Sequence, residues 1–373
     1  MCDTLCAIGN GRTLFAKNSD RPHGEVQVVE AFARRDPGGT LRTQYLEIPD
    51  AGAWALLGSR PAWLWGFEHG VNEHRVAIGN EAVYTTANLN GIEPALIGMD
   101  LVRLGLERAA TAALAIDEMT DLLDRYGQGG DCSEDGGTYS SSFLVADPTE
   151  AWVLETAGRT WAARRFAEGA AISNRLSLRA DWDRASADVE PGADFDGWRD
   201  PGVGTGFADV RLASSRACLE RGVAGPGELA GHLRDHGEGG RGLTDDEFSV
   251  CMHIRGAVNT TSAMVCELDE DPAVPLRAWI ALGSPCASVF VPVFPSDGVP
   301  SELADEKTWR RFAMLRDRVE VDDAALAEIR AVLGPLEAEL WEDADRVAGD
   351  RGAERSFVAS VGPRLEAALD QLA

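Results

Sequence analysis

Lysine is almost missing from this sequence. Only Lys17 and Lys307 are lysines among 35 basic residues, whereas Asp and Glu together number 61, so the formal net charge is −26. A chain of this charge repels phosphate backbones and acidic lipid headgroups, which argues against nucleic-acid binding and membrane docking. The composition is typical either of a GC-rich genome or of adaptation to high salt, where surface carboxylates are screened from one another.

Long apolar runs are missing too. No stretch approaches the roughly 18 apolar residues that a membrane-spanning helix needs. The first residues, MCDTLCAIGNGRTLF, lack the basic and then apolar order of a secretory signal. We therefore expect a cytoplasmic protein whose mature chain starts at or beside residue 1. Its 373 residues, 45% of them hydrophobic, suffice for one large domain or two ordinary ones.

Several common site motifs do not occur: GxxxxGK[ST], GxSxG, HExxH and any CxxC pair. The seven cysteines are odd in number and follow no secretion signal, which favours free thiols over a disulfide framework. A zinc site built from Cys251, His253, Cys266 and Cys286 is the rival interpretation, but their spacing matches no common zinc motif. We expect neither a metal nor another cofactor.

The order of apolar patterns predicts a layered α+β fold. Strands are predicted at residues 2–8, 13–17, 26–33, 41–48, 76–83, 142–146, 151–156, 161–166, 170–173, 258–268, 276–282 and 287–293. Helices are predicted within 94–126, 207–222, 226–236 and 303–373. Strand clusters between helix pairs favour a sandwich over an alternating parallel sheet. We divide the chain into a domain at 1–300 and a helical segment at 301–373 that packs on it or extends it.

Cys2 carries the first chemical signal. Removal of Met1, which requires a small second residue, would leave Cys2 with a free α-amine beside its thiol. The amine has a reference pKa of about 7.7–8.0 and is a competent general base, and a thiolate is a strong nucleophile. One residue could then supply nucleophile and base, although a cysteine near a terminus is more often an ordinary small residue.

The segment after Cys2 predicts how other groups reach it. The triplet GNG at 9–11 is a hairpin signal, and the returning strand would bring Lys17 and Asp20 beside Cys2. Lys17 would place positive charge near a thiolate, and Asp20 could orient the amine. The alternative interpretation is an exposed turn with ordinary surface charges.

Ten motifs in order span residue 2 to about residue 295. They are MCDTLCAIGNG, FAKNSDRP, EVQVVE, SRPAWLWGFEHGVNEHRVAIGNEAV, GMDLVRLGLERA, YGQGG, AWVLETAGRTWAARR, ISN, TTSAMVCEL and SVFVPVF. This series resembles the secernin and dipeptidase A family of N-terminal-nucleophile (Ntn) hydrolases, while the helical tail is less diagnostic. The resemblance implies a four-layer αββα sandwich with a C-terminal helical extension.

The resemblance also implies site roles, by way of the bile-salt hydrolases and penicillin V acylases of the wider superfamily. Cys2 corresponds to the nucleophile, and Asp20 corresponds to the acidic residue at its amine. Lys17 stands where the acylases have Arg, so the positive charge is kept but the bidentate fork is lost. Handling of a substrate carboxylate in the manner of the acylases is therefore in doubt.

Three further positions match the same pattern. Asn80 corresponds to an oxyanion-hole side chain, and Asn174 corresponds to a second polar group near the tetrahedral intermediate. Arg216 resembles the late Arg that braces the site, with Arg211 nearby as a second candidate for that position.

Substrate-binding residues are harder to assign. Arg60 and Arg175 could receive a substrate carboxylate, but arginines on an acidic surface equally form ion pairs. Trp63 and Trp65 could form the wall of a pocket, but packing in the core is the stronger interpretation.

The activity implied by the resemblance is that of a cysteine-type amide hydrolase. It would cleave dipeptides or similar small amides through a Cys2 thioester, without a metal or organic cofactor. The alternatives are an acyltransferase or N-acyl amidase on the same fold, and a non-catalytic secernin-like interaction protein. The expected partner is a small peptide or amide, with no nucleic acid and no membrane; a homo-oligomer is left open.

Overall fold

The computed structural model describes residues 1–237 and 248–373. The strands of this part are β1 Cys2–Gly9, β2 Arg12–Pro22, β3 Gln27–Phe32, β4 Thr40–Arg42, β5 Glu47–Pro49, β6 Leu56–Pro61, β7 His69–Asn72, β8 Ala77–Val83, β9 Ser140–Ala146, β10 Ala151–Ala157, β11 Thr160–Phe166, β12 Gly169–Ser173, β13 Arg184–Ala185, β14 His253–Ile254, β15 Val258–Asp269, β16 Arg277–Leu282 and β17 Val291–Val293. The helices are α1 Gly98–Arg108, α2 Ala112–Tyr126, α3 Gly206–Glu220, α4 Pro226–His232, α5 Glu306–Val321, α6 Asp323–Val347 and α7 Arg351–Gln371.

Two antiparallel sheets face each other. The first has the order β12-β1-β2-β15-β16-β17, with β14 added at β15, and the second has the order β13-β11-β10-β9-β8-β7-β6-β3. They meet through β1, β12 and β15 of the first sheet and β3, β8, β9 and β10 of the second. Between them lies an apolar core, because alternate side chains of each strand point to the other sheet.

A helix pair covers the outer face of each sheet. Helices α1 and α2 pack on β7 to β10, and helices α3 and α4 pack on the other sheet at β1, β2, β12 and β15. Each interface has its own apolar cluster. The predicted α+β, four-layer αββα sandwich is confirmed by this arrangement. Within the described residues, no helix combines the length and apolarity needed to cross a membrane.

The C-terminal helices share the core of the two sheets. Trp309 and Phe312 of α5 and Leu333 of α6 are buried in the same apolar cluster as Phe15 of β2. The indole nitrogen of Trp309 also donates a hydrogen bond to the Thr261 carbonyl of β15 at 2.9 Å. The predicted segment 301–373 is thus helical and packs directly against the strands of the region 1–300.

The main errors of the strand prediction lie at turns. Residues 41–48 form the hairpin β4–β5 instead of one strand, because the chain reverses where the Thr43 amide donates to the Leu46 carbonyl at 2.8 Å. Strand β6 was missed because Gly58 and Pro61 weaken its strand pattern. Gly58 is required there, since a Cβ at this position would lie 2.6 Å from the ring of Phe67.

The β1–β2 hairpin sets the position of Cys2. Asn10 and Gly11 form its two-residue turn with φ of 55° and 73°, the left-handed conformation that such turns require. The pairing that follows places Cys2 opposite Ser19. Because a shift of one residue would turn every side chain to the opposite face, this turn fixes which layer the Cys2 thiol enters.

A glycine in the loop between β6 and β7 gives a test of the packing. A Cβ at Gly66 would lie 2.3 Å from the Met99 carbonyl carbon at the start of α1. We expect Gly66→Ala to lower the free energy of unfolding by roughly 1–3 kcal/mol, because backbone must shift to admit the methyl group. Urea unfolding followed by circular dichroism measures this change.

Gly206→Ala is the matched control, since a Cβ there meets no atom within 4 Å and the residue begins α3. Equal stability of the two variants would contradict the close packing of α1 against the β6–β7 loop.

Candidate active site

The Cys2 side chain lies between the sheets, at the bottom of a cavity. The residue is only 4% exposed, and the cavity has a volume of about 260 Å³. The cavity is also lined by Asp20, Arg21, Glu68 and Tyr139. Cys2 is therefore buried by the layers on both sides but faces a space of the size of a small ligand.

Asn174 holds the nitrogen of Cys2. The Cys2 N–H donates to Asn174 Oδ1 at 2.6 Å, and the Asn174 amide in turn donates to the Ala82 carbonyl at 2.9 Å. Asn174 follows β12, the strand that pairs with β1, so the sheet itself brings the two residues together. In this arrangement Asn174 orients the nitrogen of the candidate nucleophile.

Asp20 lies at the same end of the hairpin. Its backbone pairs with Met1, whose amine donates to the Asp20 carbonyl at 3.0 Å. Its carboxylate accepts a hydrogen bond from Thr260 Oγ1 at 2.6 Å. Burial raises the pKa of Asp20, while the nearby N-terminal ammonium and Arg211 oppose that rise. Asp20 is therefore a buried acid beside the start of β1, and the interpretation as an exposed turn is wrong.

The Arg211 side chain contacts Cys2, Asn174 and Asp20 at once. Its guanidinium is 0% exposed and donates to the Cys2 carbonyl at 3.1 Å, to Asp3 Oδ2 at 2.5 Å and to Asn174 Oδ1 at 2.7 Å. A further nitrogen-to-oxygen distance of 3.5 Å links it to Asp20. Arg211 thus places its one positive charge beside two buried carboxylates and braces the end of β1.

Arg216 does not take this place. It lies five residues further along α3, which rotates it by about 140° around the helix axis. The residue is exposed on that side. The structure therefore brings Arg211, the second candidate for this position, to Cys2 instead of Arg216.

Lys17 supplies a positive charge close to the Cys2 thiol. Its side chain is fully buried, with Nζ 3.9 Å from Glu81 Oε1 and 3.3 Å from the Asn18 carbonyl. Burial by itself lowers the pKa of Lys17, but the negative charges of Cys2, Glu81 and Glu68 outweigh it and raise the pKa. Lys17 therefore stays protonated and favours the thiolate form of Cys2.

Glu68 is a site residue that the sequence analysis missed. Its Oε2 lies 3.9 Å from Cys2 Sγ, and its Oε1 accepts from Arg21 at 3.1 Å. Turned so that its Nδ2 faces Glu68, the Asn80 amide donates to the Glu68 carbonyl at 3.0 Å and to Oε2 at 3.3 Å. Asn80 and Cys2 thus share one carboxylate oxygen. In the sequence, Glu68 differs from the other acidic residues only in that it closely follows the WLWG segment. This was the one signal that could have identified it.

Some groups around Cys2 raise the pKa of its thiol, and others lower it. Burial is the largest effect and raises the pKa of Cys2, and Lys17 and the N-terminal ammonium then lower it. Glu68 and Asp20 raise it again. The net result is a raised pKa of the Cys2 thiol, because burial outweighs the two nearby cations.

The two arginines suggested for substrate binding are engaged elsewhere. Arg60 Nε donates to Glu30 at 2.7 Å across the β3–β6 pair. Arg175 forms an ion pair with Asp209 of α3. Neither lines the cavity at Cys2, so the alternative that was left open, ordinary ion pairs, describes both.

The two tryptophans do not line this cavity either. Trp63 donates from Nε1 to Glu25 at 2.9 Å, and Trp65 stacks under the Arg103 guanidinium at 4.2 Å. Tyr84 and Tyr139 line the cavity in their place. Tyr84 directly follows β8, and Tyr139 directly precedes β9. Both lie outside the strands, so the strand pattern gave no indication that they line a pocket.

The model of Peptidase family C69 matches residues 13–188. This match confirms the resemblance to the secernin and dipeptidase A family and identifies the matched segment as a peptidase family C69 sequence. The protein is a hydrolytic enzyme of the cysteine amidase or peptidase type.

Three solved structures are similar at low identity. The C2A mutant of conjugated bile acid hydrolase from Clostridium perfringens is 13% identical, with 74% of this chain and 88% of that chain covered and a TM-score of 0.44. The N-acylethanolamine-hydrolyzing acid amidase ortholog of Caenorhabditis elegans is 13% identical, with 73% and 94% covered and a TM-score of 0.42. Penicillin V acylase from Agrobacterium tumefaciens is 12% identical, with 79% and 86% covered and a TM-score of 0.44.

The Glu68 carboxylate gives a direct test of the electrostatics. Because its charge raises the pKa of the Cys2 thiol, Glu68→Gln should lower that pKa. The pH dependence of Cys2 alkylation by iodoacetamide, read by peptide mass spectrometry, measures the change. Glu47→Gln is the control, because Glu47 is an exposed residue of β5. A Cys2 pKa that stays the same or rises in Glu68→Gln would rule out this coupling.

The two arginines of α3 allow a matched comparison of stability. Arg211→Ala leaves Asp3 and Asp20 buried without their cation and should cost about 3–5 kcal/mol of unfolding free energy. Arg216→Ala changes an exposed residue and should stay within about 0.5 kcal/mol. Urea unfolding compares them, with Arg211→Lys as a variant that keeps the charge. Similar losses in both alanine variants would show that Arg211 does not brace the site.

Proposed function

We propose that this hydrolase cleaves dipeptides or similar small amides, with Cys2 acting as an N-terminal nucleophile. One observation carries the proposal: the nitrogen of Cys2 is held by Asn174 at 2.6 Å while its thiol faces a cavity of about 260 Å³. The nucleophile at the cavity and the nitrogen that would serve as its base thus belong to one residue. The mechanism requires that the peptide bond before Cys2 is cleaved, so that this nitrogen becomes a free amine.

The first half of the proposed reaction forms a thioester. The Cys2 amine accepts the thiol proton, and the thiolate attacks the carbonyl carbon of the amide substrate. Protonated Lys17 favours the thiolate, and Arg211 with Asp20 holds the end of β1 in place. The proton then passes from the Cys2 ammonium to the leaving amine as the carbon–nitrogen bond breaks.

The second half releases the acid. The Cys2 amine, again free, takes a proton from water as the water attacks the thioester carbonyl, and the thiol is regenerated. Asn80, together with backbone N–H groups, is proposed to stabilise the oxyanion in both halves. Loss of one such donor typically costs about 10²–10³ in rate. For Asn80 to act, its amide must exchange the contact with Glu68 for the substrate oxygen.

The cavity supports a small substrate. Its volume of about 260 Å³ is slightly below the range of roughly 300–1,000 Å³ typical of drug-sized ligands. Tyr84 and Tyr139 supply aromatic walls, and Arg21 also lines the cavity but is already paired with Glu25 and Glu68. A dipeptide or a comparably short amide fits these limits better than a long peptide.

The nucleophile is tested by mass and by substitution together. Intact mass of the purified protein should show that Met1 is removed, and Cys2→Ala should lose at least about a thousandfold of amide-cleaving activity. A panel of dipeptides and N-acyl amino acids, followed by amine release, identifies the preferred amide and separates a dipeptidase from an N-acyl amidase.

Cys6→Ala is the matched control. Cys6 lies on the same strand and the same face, but it is packed in the core, and burial raises the pKa of its thiol to about 12. The Cys6→Ala variant should keep the activity of the wild type. A fully active Cys2→Ala variant, or an active enzyme that retains Met1, would refute the proposed mechanism.

A further inference from the structure

A second group of reactive side chains lies outside the Cys2 site. His236, Cys251, His253 and Cys286 each offer one ligand atom, and these atoms all lie within 4.8 Å of one another. His253 Nε2 is 3.5 Å from Cys251 Sγ and 3.3 Å from Cys286 Sγ. Cys251, His253 and Cys286 are at most 3% exposed. Two thiols and two imidazoles thus converge from four positions of the chain, three of them buried and His236 half-buried.

The spacing fits a tetrahedral zinc ion. With Zn–S of about 2.3 Å and Zn–N of about 2.0–2.1 Å, a sulfur and a nitrogen on one tetrahedron are about 3.6 Å apart. The two sulfur-to-nitrogen distances at His253 are close to this value. Cys₂His₂ is a common ligand set of closed, structural zinc sites.

Hydrogen bonding around His253 supports the same assignment. Its Nδ1 is 3.0 Å from Glu320 Oε1 of α5, and the same oxygen accepts from Asn259 at 2.5 Å. An acceptor at Nδ1 keeps the proton there and leaves the lone pair of Nε2 directed at the two sulfurs. A carboxylate behind a ligand histidine is the usual outer arrangement of zinc sites.

His236 supplies an independent observation. Its Nε2 is buried and has no hydrogen-bond partner among the described residues. A buried polar atom without a partner costs free energy. A disulfide between Cys251 and Cys286 would leave both histidines without a function, and the burial of the cysteines keeps a substrate away from them.

We propose that His236, Cys251, His253 and Cys286 bind one structural Zn²⁺ ion, with Glu320 fixing the orientation of His253. Binding would displace the two thiol protons to solvent. The ion would join the segment after α4, the segment leading into β14 and the turn before β17. Cys266, a member of the spacing considered from the sequence, lies in the core between the sheets and is not part of this group.

The site also reaches the candidate active site. Met252, between two of the ligands, donates from its backbone to Thr260 Oγ1 at 2.9 Å. The same hydroxyl donates to Asp20 at 2.6 Å. A zinc ion that holds residues 251–253 would therefore also hold the partner of Asp20, without taking part in the reaction.

Metal content tests the proposal. The full chain, produced in zinc-supplemented medium and purified without chelator, should contain about one zinc per chain by elemental mass spectrometry. Cys286→Ser and His253→Ala should lose that zinc. Cys266→Ser removes an equally buried cysteine outside the group and should keep it.

Cobalt keeps the test decisive if the ligand variants fail to fold. Wild-type protein loaded with Co²⁺ should show the charge-transfer and visible bands of a tetrahedral site with thiolate ligands. Wild-type protein without zinc and without these bands would overturn the proposal. So would zinc content unchanged in soluble Cys286→Ser, or a Cys251–Cys286 disulfide in freshly purified protein.

Discussion

A single buried guanidinium holds the N-terminal strand in its position. Asp3 and Asp20 are both withdrawn from water near the start of the hairpin, and burial raises the pKa of Asp3 to about 6 even though Arg211 opposes the rise. Two carboxylates in such a place repel each other and are costly without a cation. Arg211 provides that cation and also contacts the Cys2 carbonyl and Asn174. The charge balance around Asp3 and Asp20 and the orientation of the candidate nucleophile therefore depend on one side chain.

The opposite sheet completes the site through polar contacts across the core. Thr4 of β1 donates to Glu81 of β8, and Lys17 of β2 lies close to the same carboxylate. Gly79 makes room for this arrangement, because a Cβ there would lie 2.6 Å from Lys17 Cδ. Few cores admit a lysine between two sheets. Here Gly79 of β8, which has no side chain, leaves the space that the Lys17 side chain of β2 occupies.

Local patterns predicted the hairpin, most strands and the paired helices, because turn residues and apolar periodicity act over short distances. The same patterns could not predict which face of an element packs against which neighbouring element, and so they could not predict which side chains reach the site. Helix α3 was expected at 207–222, but only its packing on β1 and β12 decides that Arg211 faces inward and Arg216 faces out. Glu68 and Tyr139 reach the cavity from loops, where no periodicity exists. His236 and Cys286 are 50 positions apart, and only the complete fold brings them together.

The scarcity of lysine has a practical consequence. Lys17 is enclosed between the sheets, whereas Lys307 is exposed at the start of α5. Reagents that acylate primary amines therefore meet one accessible ε-amine on the folded chain, in addition to the α-amine. A fluorophore or surface tether attached through Lys307 would sit on helix α5, at a residue that does not line the cavity, and a folded chain would carry at most two labels, one at Lys307 and one at the α-amine.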